Sequence, residues 1–172
     1  FSGFKRKLEH LLQTYQVHVV HPIAARKWIV KLDDGREVSR RKSPKNGKIS
    51  DVFRELVYIP HLLANPNFSL EILLIHEEEY RINDGRGSWR RKGWSIDDHR
   101  LLEIADSHRF DSLDAYAMLL PDSLPDAFTT ADIKQAFKVK QPIAQKIAYV
   151  MREAGIIVQT GKRGNAYVYT RI

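Results

Sequence analysis

The stretch that most constrains this chain is its last part, Phe128 to Ile172, FTTADIKQAFKVKQPIAQKIAYVMREAGIIVQTGKRGNAYVYTRI. Thr129 stands three residues before Asp132, the spacing of a capping box, in which each side chain satisfies a backbone donor at a helix start. Phe128 lies where a hydrophobic staple onto Ile133 is expected. Ile133, Ala136 and Phe137 recur at helical spacing and predict a short helix with one apolar stripe. Lys138-Val139-Lys140 is of turn length, and Pro142 suits the first position of a second helix. Ile143, Ile147, Val150 and Met151 define that helix's buried face, and Gly155 supplies its stop. Ile156 to Val158 and Ala166 to Tyr169 read as strands joined by a turn over Gly161-Lys162-Arg163-Gly164.

Helix, tight turn, helix and hairpin in that order resemble a winged helix-turn-helix DNA-binding domain. The resemblance implies a second helix that enters the major groove. The face of that helix away from its apolar stripe carries Gln141, Gln145, Tyr149 and Arg152. Gln and Arg can read base edges, and Tyr can reach the backbone. Lys162 and Arg163 at the hairpin tip are expected on phosphate. Residues 129–172 hold eight Lys or Arg against only Asp132 and Glu153, the balance a phosphate-binding surface requires. A module of this type that binds protein would share the same core and differ in what its exposed face meets.

The formal charge of the whole chain is +7, but it is unevenly spread: residues 35–48 sum to +5, 49–128 to −7 and 129–172 to +6. Basic regions flanking an acidic middle point to a polyanion held by particular surfaces. With no cysteine, disulfides and thiolate metal sites are excluded. No apolar run reaches the length of a bilayer span, so the expectation is a cytoplasmic protein without a membrane partner.

Ser2 is placed to cap a helix that buries Phe4, Leu8, Leu11 and Leu12. Val17 to Val20 reads as a strand ending at His21-Pro22, and Trp28 to Leu32 as another, with Asp33-Asp34-Gly35 a hairpin signal into Arg36-Glu37-Val38. His10, His18 and His21 are close in sequence, yet no carboxylate falls at a metal-site spacing, and no metal is expected. Ser39 to Lys48 carries Arg40, Arg41, Lys42, Lys45 and Lys48 in an irregular stretch, either a surface loop or a phosphate contact. Ser50 caps a helix with Phe53, Leu56 and Val57 inward, ended by Pro60. Leu70 to Ile75 reads as a buried strand continued by Glu77-Glu78-Glu79, whose alternate side chains cannot all face one ion.

Between Asp84 and Trp94, the cations Arg90, Arg91 and Lys92 sit between Trp89 and Trp94. Interleaved aromatic and basic residues suit base stacking with phosphate attraction, or else the tryptophans anchor the loop on the core. Ser95 and Asp98 predict a capped helix carrying Leu101, Leu102 and Ala105. A further helix is expected over about Leu113 to Leu120, and Pro121 to Asp126 reads as a linker.

The segments HVVHPIAARKWIV, SRRKSPKNGKISDVFRELVYIPHLL, DGRGSWRRKGWSIDDHRLLEI and GKRGNAYVY look like a family of uncharacterised bacterial proteins. Its longer members resemble restriction-endonuclease-like nucleases in the part that precedes Phe1. The resemblance implies that residues from about Gly3 to Val20 close such a nuclease-like α/β core. No residue of this chain matches the Mg²⁺-binding motif, so no catalytic residue is carried over.

The expectation is therefore an α+β chain with a mixed domain over residues 1–126, strands near 17–21, 27–32, 36–40 and 69–79, and a winged helix over 127–172. Its expected function is binding of double-stranded DNA as a nuclease-associated or nuclease-derived module. The nucleic-acid residues are Gln141, Gln145, Tyr149, Arg152, Lys162 and Arg163, with Arg40, Arg41, Lys42, Lys45, Arg90, Arg91 and Lys92. The alternatives are a transcription regulator or protein-interaction adaptor, with a homodimer open, and a Mg²⁺-dependent nuclease using Glu71, Glu77 to Glu79, or Asp97 and Asp98. Mg²⁺ is the only cofactor considered, and only in that last case.

Overall fold

The computed structural model describes residues 1–172, and the chain is mixed α+β. Four strands, β1 (Val17–Asp33), β2 (Arg36–Lys42), β3 (Phe68–Ile82) and β4 (Ser95–Phe110), form one sheet in the order β2-β1-β3-β4. The expected hairpin joins β1 to β2. Asp33 pairs with Arg36 across a two-residue turn in which Asp34 and Gly35 take φ of 46° and 73°. That left-handed pair matches the right-handed twist of the flanking strands. Contacts between β1 and β3 advance together along both strands: Val17 donates to the Asn67 carbonyl, His18 meets Ser69, and Lys27 meets Glu79. The two strands therefore run in the same direction.

Three features of this region depart from expectation. β1 is one strand of 17 residues that passes through His21-Pro22 instead of ending there. Its ladder with β2 begins only at Trp28, so a proline at position 22 loses no bond to β2. Glu77 to Glu79 lie inside β3, not at its end, and Glu78 and Glu79 are buried. Residues 95–105 are strand, not helix. Ser95 Oγ donates to Asp84 and Asp98 accepts from the adjacent His99 amide, so the capping box does not form. Leu101-Leu102 and Ile104 fit either period, and pairing with β3 decides for the strand.

The helices are α1 (Lys5–Leu11), α2 (Phe53–Leu56), α3 (Leu113–Ala117), α4 (Thr130–Ala136) and α5 (Gln141–Glu153). Ser2 lies in a 3₁₀ turn ahead of α1 and does not cap it, and Phe4 is exposed. Leu8 and Leu12 are buried as expected. Ser112 caps α3, its hydroxyl accepting from the Ala115 amide at 3.3 Å. Strands β5 (Ala127–Phe128), β6 (Ile157–Arg163) and β7 (Ala166–Arg171) form a second sheet in the order β5-β7-β6.

The chain divides into two compact units, one of residues 1–21, 50–71 and 108–172, the other of 22–49 and 72–107. Residues 127–172 do not stand as a unit of their own. Phe53 of α2 meets Phe137 edge to face at 6.4 Å, and the core of this unit joins Val52, Phe53, Leu56 and Ile59 to Phe128, Ile133, Ile147 and Met151, all buried. The expected linker is pinned as well: Arg171 donates to the Pro121 carbonyl at 2.9 Å, and Leu124 is buried. Tyr116 stacks on Phe110 in the same unit, with its hydroxyl buried and without a hydrogen-bond partner. The second unit buries Ile23, Ile29, Val30, Ile72 and Ile75.

Candidate nucleic-acid interface

The capping box at the start of α4 forms as the spacing dictates. Thr129 Oγ1 accepts from the Ala131 amide, and the Asp132 carboxylate accepts from the Thr129 amide at 2.7 Å and its hydroxyl at 2.8 Å. These bonds, backbone first, hold the Asp132 carboxyl below the ordinary aspartate range. Helix α4 ends at Ala136 with Phe137 as its cap, and Lys138 turns the chain with φ of 51°.

Helix α5 buries Ile143, Ala144, Ile147, Ala148, Val150 and Met151. Its other face presents Gln145 and Tyr149, both exposed, and Arg152, partly exposed, one above another along the axis. The four residues expected to face the major groove are thus not equivalent. Gln141 Nε2 donates to Thr130 Oγ1 at 3.0 Å and ties the start of α5 to the start of α4. Arg152 donates to Glu153 at 2.7 Å, and its guanidinium lies 5.8 Å from the Tyr149 ring. Gly155 follows α5 with φ of 78°, the left-handed stop that a residue with a Cβ adopts only under strain.

The hairpin is longer than expected. β6 and β7 stay paired out to Arg163 opposite Ala166, so Lys162 and Arg163 belong to the strand end, with Gly164-Asn165 as the turn. Both cations are exposed. Lys162 stands opposite Tyr167, its Nζ 5.1 Å from that ring. Tyr167 carries no signal of this role in the sequence, because only the register, once known, places it under the lysine.

The cations of the other unit divide differently. Arg40 Nε donates to Glu78 at 2.8 Å and its guanidinium lies 5.3 Å from the Trp28 ring; Glu78 also accepts from the Tyr80 hydroxyl. Lys27 meets Glu77 at 2.9 Å and Glu79 at 2.8 Å, and Arg81 Nε donates to Glu79 at 2.7 Å. Alternation along β3 sends Glu77 and Glu79 to one face and Glu78 to the other. The three carboxylates do not converge on one point, and each already meets a cation. The Arg40 bond, seconded by Tyr80, holds Glu78 below the usual glutamate range. Burial opposes the charges of Glu79 and Lys27, but their mutual hydrogen bonds outweigh it, lowering the carboxyl and raising the amine. Lys27 carries no signal in the sequence beyond a charge inside a strand.

The basic stretch 39–48 is half strand. Arg40, Arg41 and Lys42 close β2, and the residues after them are fixed onto β1: the Ser43 amide donates to the Lys27 carbonyl and the Gly47 amide to the Ala24 carbonyl. A Cβ at Gly47 would come within 2.7 Å of the Ala24 carbonyl oxygen, so the close approach requires glycine. Arg41, Lys42 and Lys45 are exposed. In the stretch 84–94 the two tryptophans part company. Lys31 Nζ lies 4.2 Å from the Trp94 ring and Arg91 donates to the Trp94 carbonyl, which makes Trp94 an anchor. Trp89 is 83% exposed, with Arg90 5.6 Å from its ring, and Lys92 is exposed beside it.

His18 bonds Ser69 and Glu71 at 2.8 Å and 2.9 Å, a carboxylate partner that its local sequence does not show. No group of three or more His, Asp or Glu is placed to hold a metal ion. No helix is long and apolar enough to cross a membrane.

A family model described as a domain of unknown function (DUF8091) matches residues 1–111. An uncharacterized protein of Treponema pallidum (strain Nichols) is 33% identical over 174 residues, covering 99% of this chain and 68% of that protein. The family match ends before α4, whereas the likeness to the Treponema protein continues through the helix pair and hairpin. No solved structure matches.

Proposed function

We propose that this chain, which belongs to the DUF8091 family, binds nucleic acid, duplex DNA in particular, using α4, α5 and the β6–β7 hairpin as a winged helix-turn-helix. The observation that carries the reading is the exposed face of α5, Gln145 and Tyr149, in one unit with a hairpin that ends in exposed Lys162 and Arg163. Gln and Tyr suit a groove and its backbone, and the hairpin cations suit phosphate. Gln141 then positions α5 through Thr130. Arg152 can leave Glu153 for a phosphate, since an exposed ion pair holds it by less than about 1 kcal/mol. Arg41, Lys42, Lys45, Arg90 and Lys92 are further phosphate contacts, with Trp89 open for stacking, whereas Arg40 and Arg91 serve the fold. The carboxylates of β3, met by Lys27, Arg40 and Arg81, favour a binding role over divalent-metal cleavage by this chain.

A titration of affinity against salt on a short duplex tests the reading. Lys162→Ala with Arg163→Ala is expected to flatten the slope of log K against log salt by about 1 to 2. Gln145→Ala is expected to weaken binding and leave the slope alone. Unchanged affinity and slope in both variants would remove this surface from the interface.

A further inference from the structure

Strand β4 is an end strand of the four-stranded sheet, and every residue from Ile96 to Ser107 is exposed. Leu101 is 55% exposed, Leu102 43% and Ile104 52%. A long edge strand bearing exposed apolar residues on both faces is a template for another strand. We propose that β4 is the surface through which two copies of this chain associate, edge to edge and antiparallel, about a two-fold axis at Glu103.

The charge pattern of the strand itself, IDDHRLLEIADSHRF over 96–110, points to a second copy as the occupant. In an isologous antiparallel pair the facing residues must share one face of the sheet, so the axis passes through a residue position. With the axis at Glu103, Leu102 faces Ile104 and Leu101 faces Ala105. Arg100 faces Asp106, Asp98 faces His108, and Asp97 faces Arg109, and each pair occurs twice. The one like pair is Glu103 with itself, and that carboxylate already bonds His76 at 2.9 Å. Moving the axis to Leu102 sets Asp98 against Asp106 and Arg100 against Ile104. Moving it to Ile104 sets Leu102 against Asp106 and Arg100 against His108. The pattern thus selects a single register, and opposite charges directly across a strand pair favour it while like charges oppose it.

Sedimentation equilibrium on the full chain is the test. Arg100→Asp and Asp106→Arg each set like charges face to face twice, and each is expected to weaken the dimer about tenfold or more. The double variant R100D/D106R recreates the opposite pairs and is expected to restore wild-type association. Because the chain has no cysteine, Glu103→Cys supplies a lone thiol that meets its own copy at the axis. Mild oxidation should link it into a covalent dimer, while Leu101→Cys, too far from its own copy for a disulfide, should stay monomeric on a denaturing gel. A wild-type chain that is monomeric at all concentrations overturns the proposal. So does a dimer indifferent to both single charge reversals, a double variant that fails to reassociate, or equal cross-linking at positions 101 and 103.

Discussion

The cations on β1, β2 and β3 and those on the β6–β7 hairpin are alike in sequence and opposite in situation. Lys27, Arg40 and Arg81 close on Glu77, Glu78 and Glu79, two of which are buried. Lys162 and Arg163 stand exposed, with a tyrosine ring as the neighbour of the first. What separates the two regions is the neighbouring strand. β3 brings carboxylates to the faces that Lys27 and Arg40 occupy, whereas β7 brings Tyr167 and Ala166 opposite the hairpin cations. A run of positive charge is therefore left open to solvent only where no acidic strand lies beside it.

The largest effect is expected from Lys27→Met, which takes the shared lysine from Glu77 and Glu79 and leaves Glu79 with Arg81 alone. Removing the lysine from this partly buried site is expected to cost about 2 kcal/mol, measurable by urea unfolding. The carboxylates on the two faces of β3 set an acid limit. Glu78 and Glu79 titrate below the ordinary glutamate value of about 4.3 in the folded chain, so the unfolded chain binds protons first as pH falls. Their contribution is complete above that value and declines as pH drops through the folded pKa values. In Lys27→Met the acid limb of a stability profile should move to higher pH, and an unmoved limb would deny the network its role. Thr129→Ala removes the cap of α4 and should cost about 1 kcal/mol. Smallest of all, Lys162→Ala with Arg163→Ala should change stability by less than about 0.5 kcal/mol. Were the hairpin variant as unstable as Lys27→Met, the contrast between the regions would be lost.

Local signals make the C-terminal elements legible. Thr129 with Asp132, Pro142 and Gly155 mark helix ends within a few residues, and the apolar spacing of α5 names its buried face. Asp34-Gly35 does the same for the first hairpin. Signals that depend on distant partners are not legible. Nothing near Ser95 tells that β3 will pair with it, so a sound capping pattern points to a helix that does not exist. Arg40 and Arg41 look equivalent in sequence, but alternation turns only the first toward Glu78, a partner 38 residues on. In the candidate interface, Gln145, Tyr149, Lys162 and Arg163 are as open as the sequence suggests, while Gln141 and Arg152 have neighbours that spacing could not supply.

The shared direction of β1 and β3 also sets a timetable. A parallel pair needs a crossover, and here residues 34–67, β2 among them, make it, with Lys27 meeting a glutamate 52 positions away. The β1–β2 hairpin and the α4–α5 pair can close within microseconds from near neighbours, but the sheet is complete only after the chain has returned. Trp28, whose ring lies 6.1 Å from that of His76, meets this partner only when β3 arrives. With the other two tryptophans replaced (Trp89→Phe, Trp94→Phe), its fluorescence is expected to lag the far-ultraviolet helix signal during refolding, and simultaneous traces would mean that the crossover assembles as early as its local pieces.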